Sequence, residues 1–260
     1  MSTLTTPHID VHRGGDRMKT RVSWLDSKHS FSFGEHYDPD NTHHGLLLVN
    51  NEDIVSPGQG FETHPHRDME IVTWVLGGSL VHQDSLGHSG VIYPGLAQRM
   101  SAGTGILHSE KNDSWRLDHG TEHDQPVHFV QMWVVPDEPG SEPGYQQLEI
   151  DDELARGGLV TVASGLPRYR DRTAIAIGSS HSAMHVARLA DSGETEQAID
   201  LPDAPYLHLF VARGEVEMEG VGPLYVGDAV RLTRSGGQLV TAHGPAEILV
   251  WEMHARLGSE

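Results

Sequence analysis

Apolar residues fall along the chain in short runs broken by glycine, proline or asparagine. Gly45–Asn50 reads GLLLVN, Glu70–Leu76 reads EIVTWVL, Val127–Val135 reads VHFVQMWVV and Leu207–Val211 reads LHLFV, with further runs at Ala229–Leu232 and Ile248–Met253. Short runs rich in Val, Ile, Trp and Phe and spaced by turn signals predict strands of a sandwich or barrel. No segment sustains a helical apolar stripe, and only Asp151–Ala155 is expected to form a short turn.

The stretch PDEPGSEPGY, from Pro136 to Tyr145, has three prolines and two glycines. It can neither complete a strand ladder nor hold a helix. It predicts a boundary between residues 1–136 and 146–260, with 137–145 as linker. EIVTWVLGGSLVHQDSLGHSGVIYPG before it and YLHLFVARGEVEMEGVGPLYVGDAVRL after it share a rhythm of strand, glycine turn, strand and glycine turn. Two copies of one β unit are expected, which makes the fold class all-β.

Composition narrows the function. The 260 residues include 37 acids against 18 bases, a formal charge of -19. Such a surface is repelled by phosphate backbones and anionic headgroups, so neither direct nucleic acid binding nor membrane binding is expected. The absence of cysteine excludes disulfide scaffolds, thiolate metal sites and cysteine nucleophiles. The start, MSTLTTPHIDVHRGGD, has no apolar signal region, and no stretch approaches the roughly 18 apolar residues of a membrane span. The chain reads as a soluble cytoplasmic protein. No glycine fingerprint for a nicotinamide or flavin follows a predicted strand, and no phosphate-binding loop occurs.

Histidine spacing carries the chemistry. His64-Pro65-His66 precedes one predicted strand, and His108-Ser109-Glu110 follows the loop Ser101–Ile106. Residues two apart on a strand project to one face, so the two triplets can aim three imidazoles and one carboxylate at a point between adjacent strands. Gly58, Gly60, Gly103 and Gly105 allow tight turns at a barrel rim. Such a donor set suits Fe(II), Mn(II), Ni(II), Co(II) or Zn(II), with Cu also open.

The same residues match a named pattern. Gly58-x5-His64-x-His66-x3-Glu70-x6-Gly77 matches the first cupin motif, and His108-x3-Asn112 matches the end of the second. SFSFGEHYDP (Ser30–Pro39), GFETHPHRDMEIVTWVLGGSLVHQDS (Gly60–Ser85), QRMSAGTGILHSEKN (Gln98–Asn112) and QMWVVP (Gln131–Pro136) resemble the pirin family. The resemblance is dense from Ser30 to Pro136 and thin afterwards. It implies a bicupin, two cupin-type β-barrel (jelly-roll) domains with one metal in the N-terminal one, and Fe(II) as that metal. It also implies oxygen-dependent opening of flavonols such as quercetin, as in bacterial members, or an iron-dependent coregulator that binds a protein partner, as in animal members. One departure is Pro94-Gly95-Leu96-Ala97, where the family commonly has Pro-Gly-Asp; losing that turn cap could loosen the loop leading to His108.

General cupins use the glutamate of the first motif, here Glu70, as a ligand, whereas pirins use the one two residues past the last histidine. The expected metal set is therefore His64, His66, His108 and Glu110, with Glu110 also the catalytic base for a flavonol-like aromatic substrate and O2 as co-substrate. Phe61, Ile71, Thr73, Val75, His82, Met100, Ile106, Gln131 and Trp133 are candidate walls. Gln98 and Gln131 are candidates to orient a carboxylate ligand. The C-terminal half has His181, His185, His208, His243 and His254 but no His-x-His or His-x-Glu pair, so a degenerate cupin domain without metal is expected there. His43, His44, His119 and His123 read as loop residues. A scaffold that uses its metal only structurally is a third reading.

Overall fold

Side chains alternate between the two faces of a strand, so each run must satisfy two environments at once. The computed structural model describes residues 7–113, 124–189 and 197–258. The first half holds β1 (His8–His12), β2 (Met18–Arg21), β3 (Leu25–His29), β4 (Leu47–Val55), β5 (Gly60–His66), β6 (Glu70–Gly77), β7 (Leu80–Asp84), β8 (Ser89–Ile92), β9 (Leu96–Ser101), β10 (Ile106–Lys111) and β11 (Val127–Val134). There follow β12 (Gly144–Glu149), the short helix α1 (Asp151–Ala155), β13 (Val160–Ser164), β14 (Ile175–Ala176), β15 (Ser182–Leu189), β16 (Gln197–Asp200), β17 (Tyr206–Arg213), β18 (Glu215–Met218), β19 (Gly222–Tyr225), β20 (Ala229–Thr233), β21 (Leu239–Ala242) and β22 (Ala246–Met253).

These strands build two units of the same design. In the N-terminal unit a seven-stranded sheet, β12-β9-β6-β11-β4-β3-β2, faces a four-stranded sheet, β5-β10-β7-β8. The C-terminal unit repeats this layout as β1-β20-β17-β22-β15-β13-β14 and β16-β21-β18-β19, departing from it only at the outer edge, where β14 runs parallel to β13 while β2 runs antiparallel to β3. The shared rhythm seen in the sequence is therefore a shared topology of two jelly-roll sandwiches.

Two edge strands cross between the units, and here the expected boundaries need correction. β1 pairs with β20 of the C-terminal unit, His8 opposite Thr233, although it lies within residues 1–136. β12 begins inside the expected linker and pairs with β9 of the N-terminal unit, Gly144 opposite Ser101. Each large sheet thus has one outer edge covered by a strand from the far side of the chain, which removes a row of unpaired backbone groups. The proline-rich composition of 137–145 marks the crossing but hides the strand that begins at Gly144.

The two large sheets pack on one another. Val72, Trp74 and Leu76 of β6 join Phe210, Leu249 and Trp251 in a core between the units. The alternate residues of β6 face the other way: Val75 packs with Leu80, Ile92, Leu96 and Phe129 inside the N-terminal unit, and Ile71 packs there with Met100 and Ile106. Each such side chain contributes roughly 1.5–3 kcal/mol when fully buried. Polar bonds also span the interface: Trp74 Nε1 donates to Glu247 Oε1 at 2.8 Å, and Arg231 donates to the Ser30 carbonyl at 2.7 Å.

The Pro94–Ala97 turn is closed without an aspartate. Leu96 N–H donates to Tyr93 O at 3.1 Å and Gly95 O accepts from Ile150 N–H at 2.8 Å. Leu96 itself is buried in the apolar interior, so the residue that replaces the family's turn cap contributes packing instead. Among the described residues, no helix is long and apolar enough to cross a membrane.

Candidate metal centre

β10 lies between β5 and β7, so its inward side chains meet neighbours on both sides. His108 pairs with His64 in register, and a bulge then sets Glu110 opposite Phe61. That extra residue on β5 bends the strand where the two histidine triplets meet. Gly60 pairs with Lys111 beyond the bulge, and a Cβ there would lie 2.6 Å from Lys111 Cα. Only glycine permits this approach.

The structure brings His64, His66 and His108 together, with one ligand atom from each within 4.8 Å of the others. His64 Nδ1 lies 2.7 Å from the Glu62 carbonyl, so that nitrogen carries the proton and Nε2 carries the lone pair. This Nε2 lies 3.1 Å from His108 Nε2, while His66 Nε2 is buried with no hydrogen-bond partner. A buried polar atom left in this state costs about 1–3 kcal/mol. Nitrogen lone pairs converging on one point, one of them orphaned, are the donor chemistry of a transition-ion site, and the residues fit such an ion.

Glu110 is buried beside this group. Gln131 Nε2 donates to its two oxygens at 2.9 and 2.8 Å, and Trp133 Nε1 donates to Gln131 Oε1 at 3.1 Å. The carboxylate sits opposite His82 across β7, and ligand atoms of His82, His108 and Glu110 also lie within 4.8 Å of one another. His108 is thus common to two groups of three. Sequence reasoning placed His82 only on the wall; the signal it passed over is His82-Gln83-Asp84, a third pair of potential ligands two residues apart.

Glu70 stands on the opposite face of β6. It accepts from Ser101 Oγ at 2.7 Å, and it lies beside Gly178 of the other half. Burial pushes its pKa up. Strand alternation alone removes it from the histidines, because Ile71 and Thr73, not Glu70, face inward.

The electrostatics keep the His66 and His108 rings neutral. Burial lowers His108 to about 3, helped by His64 and His82, and lowers His66 to about 4, helped by His108 and His64. Neutral rings keep their lone pairs for a cation at neutral pH. Asp53 of β4 is pushed up to about 7 by burial, with the Glu110 charge adding to the shift.

The other candidates separate. Ile71, Met100 and Ile106 form an apolar cluster with Trp133 against it, and the Trp133 ring meets His66 edge-on at 4.8 Å. Val75 and Phe61 belong to the larger apolar interior. Thr73 Oγ1 and Gln98 Oε1 are buried without partners, and the Gln98 side chain bonds Tyr145, whereas Gln131 donates to Glu110. His44, read as a loop residue, packs on Tyr206 between the two halves. His119 and His123 lie outside the described residues. In the C-terminal unit the strands equivalent to β5 and β10 carry Ile199, Val240 and Ala242, all within its apolar core. His185 bonds Glu252 at 3.0 Å, and that carboxylate is also held by Tyr169 at 2.9 Å and His254 at 2.6 Å.

Two jelly-roll units, one bearing clustered imidazoles and a carboxylate on its smaller sheet, define a bicupin with a candidate metal centre in its N-terminal unit. The Pirin family model matches residues 12–134. A protein of Mycobacterium tuberculosis, provisionally named a quercetin 2,3-dioxygenase, is 60% identical over 253 residues, covering 97% of this chain and 98% of its own. The quercetin 2,3-dioxygenase of Escherichia coli is 34% identical over 245 residues, covering 94% and 98%. A bacterial pirin from Escherichia coli, solved in complex with nickel(II), matches with a TM-score of 0.80 at 30% identity, covering 95% of this chain and 100% of its own. The chain belongs to the pirin family.

Proposed function

We propose that this protein is a metal-dependent dioxygenase acting on flavonols or related polyhydroxylated aromatics, with His64, His66, His108 and Glu110 holding the ion. The observation that carries this reading is the cluster of three imidazoles, His64, His66 and His108, with Glu110 grouped beside His108. Dioxygenase names among relatives that span nearly the whole chain support it.

When bound, the ion supplies a Lewis acid that makes a substrate hydroxyl more acidic and holds the aromatic beside dioxygen. Glu110 accepts that hydroxyl proton, and Gln131 keeps the carboxylate aimed during the transfer. Trp133, bonded to the far end of the Gln131 amide, keeps that amide from turning over. Fe(II) is the ion proposed on family grounds, and the donor set accepts Ni(II) equally.

The test is anaerobic loading with Fe(II) or Ni(II), followed by oxygen uptake with quercetin, other flavonols and catechols. Uptake should require metal and should fall about 10²-fold or more in Glu110→Gln. Absence of uptake with every substrate and both ions would overturn the enzymatic reading and favour an iron-dependent binder of a protein partner.

A further inference from the structure

Asp84 begins a line of ring nitrogens that ends at His108. Its side chain is shut off from solvent, as is that of His82. Asp84 Oδ1 accepts from the backbone N–H of Leu86 at 2.9 Å and of His88 at 3.0 Å. Oδ2 lies 2.8 Å from His88 Nδ1 and 3.4 Å from His82 Nε2. A carboxylate with this many donors is favoured in its ionised form, which can only accept hydrogen bonds. His82 therefore carries its proton on Nε2, and as a neutral ring it presents a lone pair at Nδ1.

His82 Nδ1 lies 3.4 Å from His108 Nδ1. Only one of the two can hold a proton in that contact, so it belongs to His108, and the lone pair of His108 is displaced to Nε2. That is the nitrogen facing His64 Nε2 at 3.1 Å. The ring of Tyr145 stacks on His82 at 4.7 Å and 25°, which fixes the imidazole plane. Both histidines are almost fully buried, so solvent is poorly placed to substitute for a missing partner.

We propose that Asp84 and His82 are positioning residues that fix the tautomer of His108, so that its Nε2 lone pair points at the metal. The inference rests on reading His108 as a metal ligand. It assigns His82 a role different from direct ligation, although its proximity to His108 and Glu110 also permits a fourth nitrogen donor. The two roles make opposite demands: a relay leaves His82 off the ion, whereas ligation adds its imidazole to the count.

The experiment has one readout without metal and two with it. In the metal-free protein, 15N resonances of His108 should show a protonated Nδ1 and a bare Nε2, and His82→Phe should mix the two tautomers. In nickel(II) titrations, His82→Phe should weaken binding about 10–100-fold. Asp84→Asn, which keeps the side-chain volume, should weaken it in the otherwise native protein but add nothing in the His82→Phe background. X-ray absorption should count the same number of imidazoles on nickel in wild type and His82→Phe. A proton on His108 Nε2 in wild type, unchanged affinity in His82→Phe, or the loss of one imidazole in that variant would each overturn the relay. Wild-type protein with no affinity for nickel, whatever the His108 tautomer, would instead overturn the metal reading beneath it.

Discussion

The amide of Gln131 donates to both carboxylate oxygens of Glu110, at 2.9 and 2.8 Å, while Trp133 fixes the amide from behind at 3.1 Å. One short polar chain therefore aims the only carboxylate in the proposed ligand set. Gln131→Leu should leave Glu110 buried without its donor, at a cost of about 1–3 kcal/mol in the metal-free protein. Urea denaturation measures that loss, and nickel affinity should fall with it. If both are unchanged, Gln131 does not hold the ligand.

Glu70 and Glu110 are both buried, but Glu70 faces the other unit from the large sheet, whereas Glu110 sits on β10 of the small sheet. Glu110→Gln should retain metal and lose about 10²-fold or more in turnover, because an amide cannot take the substrate proton. Glu70→Gln should leave metal content and turnover unchanged and affect stability alone. Metal analysis beside oxygen uptake separates them, and a Glu70→Gln protein that lost its metal would contradict the assignment.

Gly60 pays for the close approach of β5 to β10. A methyl group there would meet the Glu110 carbonyl and the Lys111 Cα at impossible distances, so Gly60→Ala must push the strands apart beside the bulge. Lower thermal stability together with weaker nickel binding is expected. Gly58 has open space around its missing side chain, so a Gly58→Ala control should suffer only from its positive φ of 70°.

Asp53 gives a pH signature of the metal-free protein. Its folded pKa of about 7 lies above the ordinary aspartate value of 3.8, so the folded state keeps a proton that the unfolded state releases. Stability from this group is complete below the unfolded value and is lost as pH rises toward the folded one. Three units correspond to about 4 kcal/mol as an upper bound. Asp53→Asn should therefore gain on wild type between about pH 5 and about pH 8 in urea denaturation. An equal difference at both pH values would show that Asp53 is ionised in the fold.

Metal binding should stabilise the fold by mass action. A free nickel(II) concentration a thousandfold above the dissociation constant corresponds to about 4 kcal/mol, read as a rise in melting temperature that a chelator reverses. His64→Ala and His108→Ala should abolish the rise. A rise that persisted in both would place the ion elsewhere.

Much of this was legible in the chain because strands write their period into sequence. The i, i+2 spacing of His64 with His66 and of His108 with Glu110 announced a shared face, and the glycines around them announced the turns. What escaped was set by partners distant in sequence. Nothing local in HIDVH or GYQQLE says that β1 and β12 complete each other's units, because an edge strand is chosen by the sheet it joins. His82 looked like one wall residue among several until β7 was seen beside β10. Leu96 read as a missing turn cap, yet its position at the start of β9 makes it a core residue.

The most direct test of the central claim is a crystal grown with nickel(II) and measured at the nickel edge. A single anomalous peak is expected about 2.1 Å from nitrogens of His64, His66 and His108, with a Glu110 oxygen completing the set. A peak away from these four side chains, or none under saturating nickel, would contradict it.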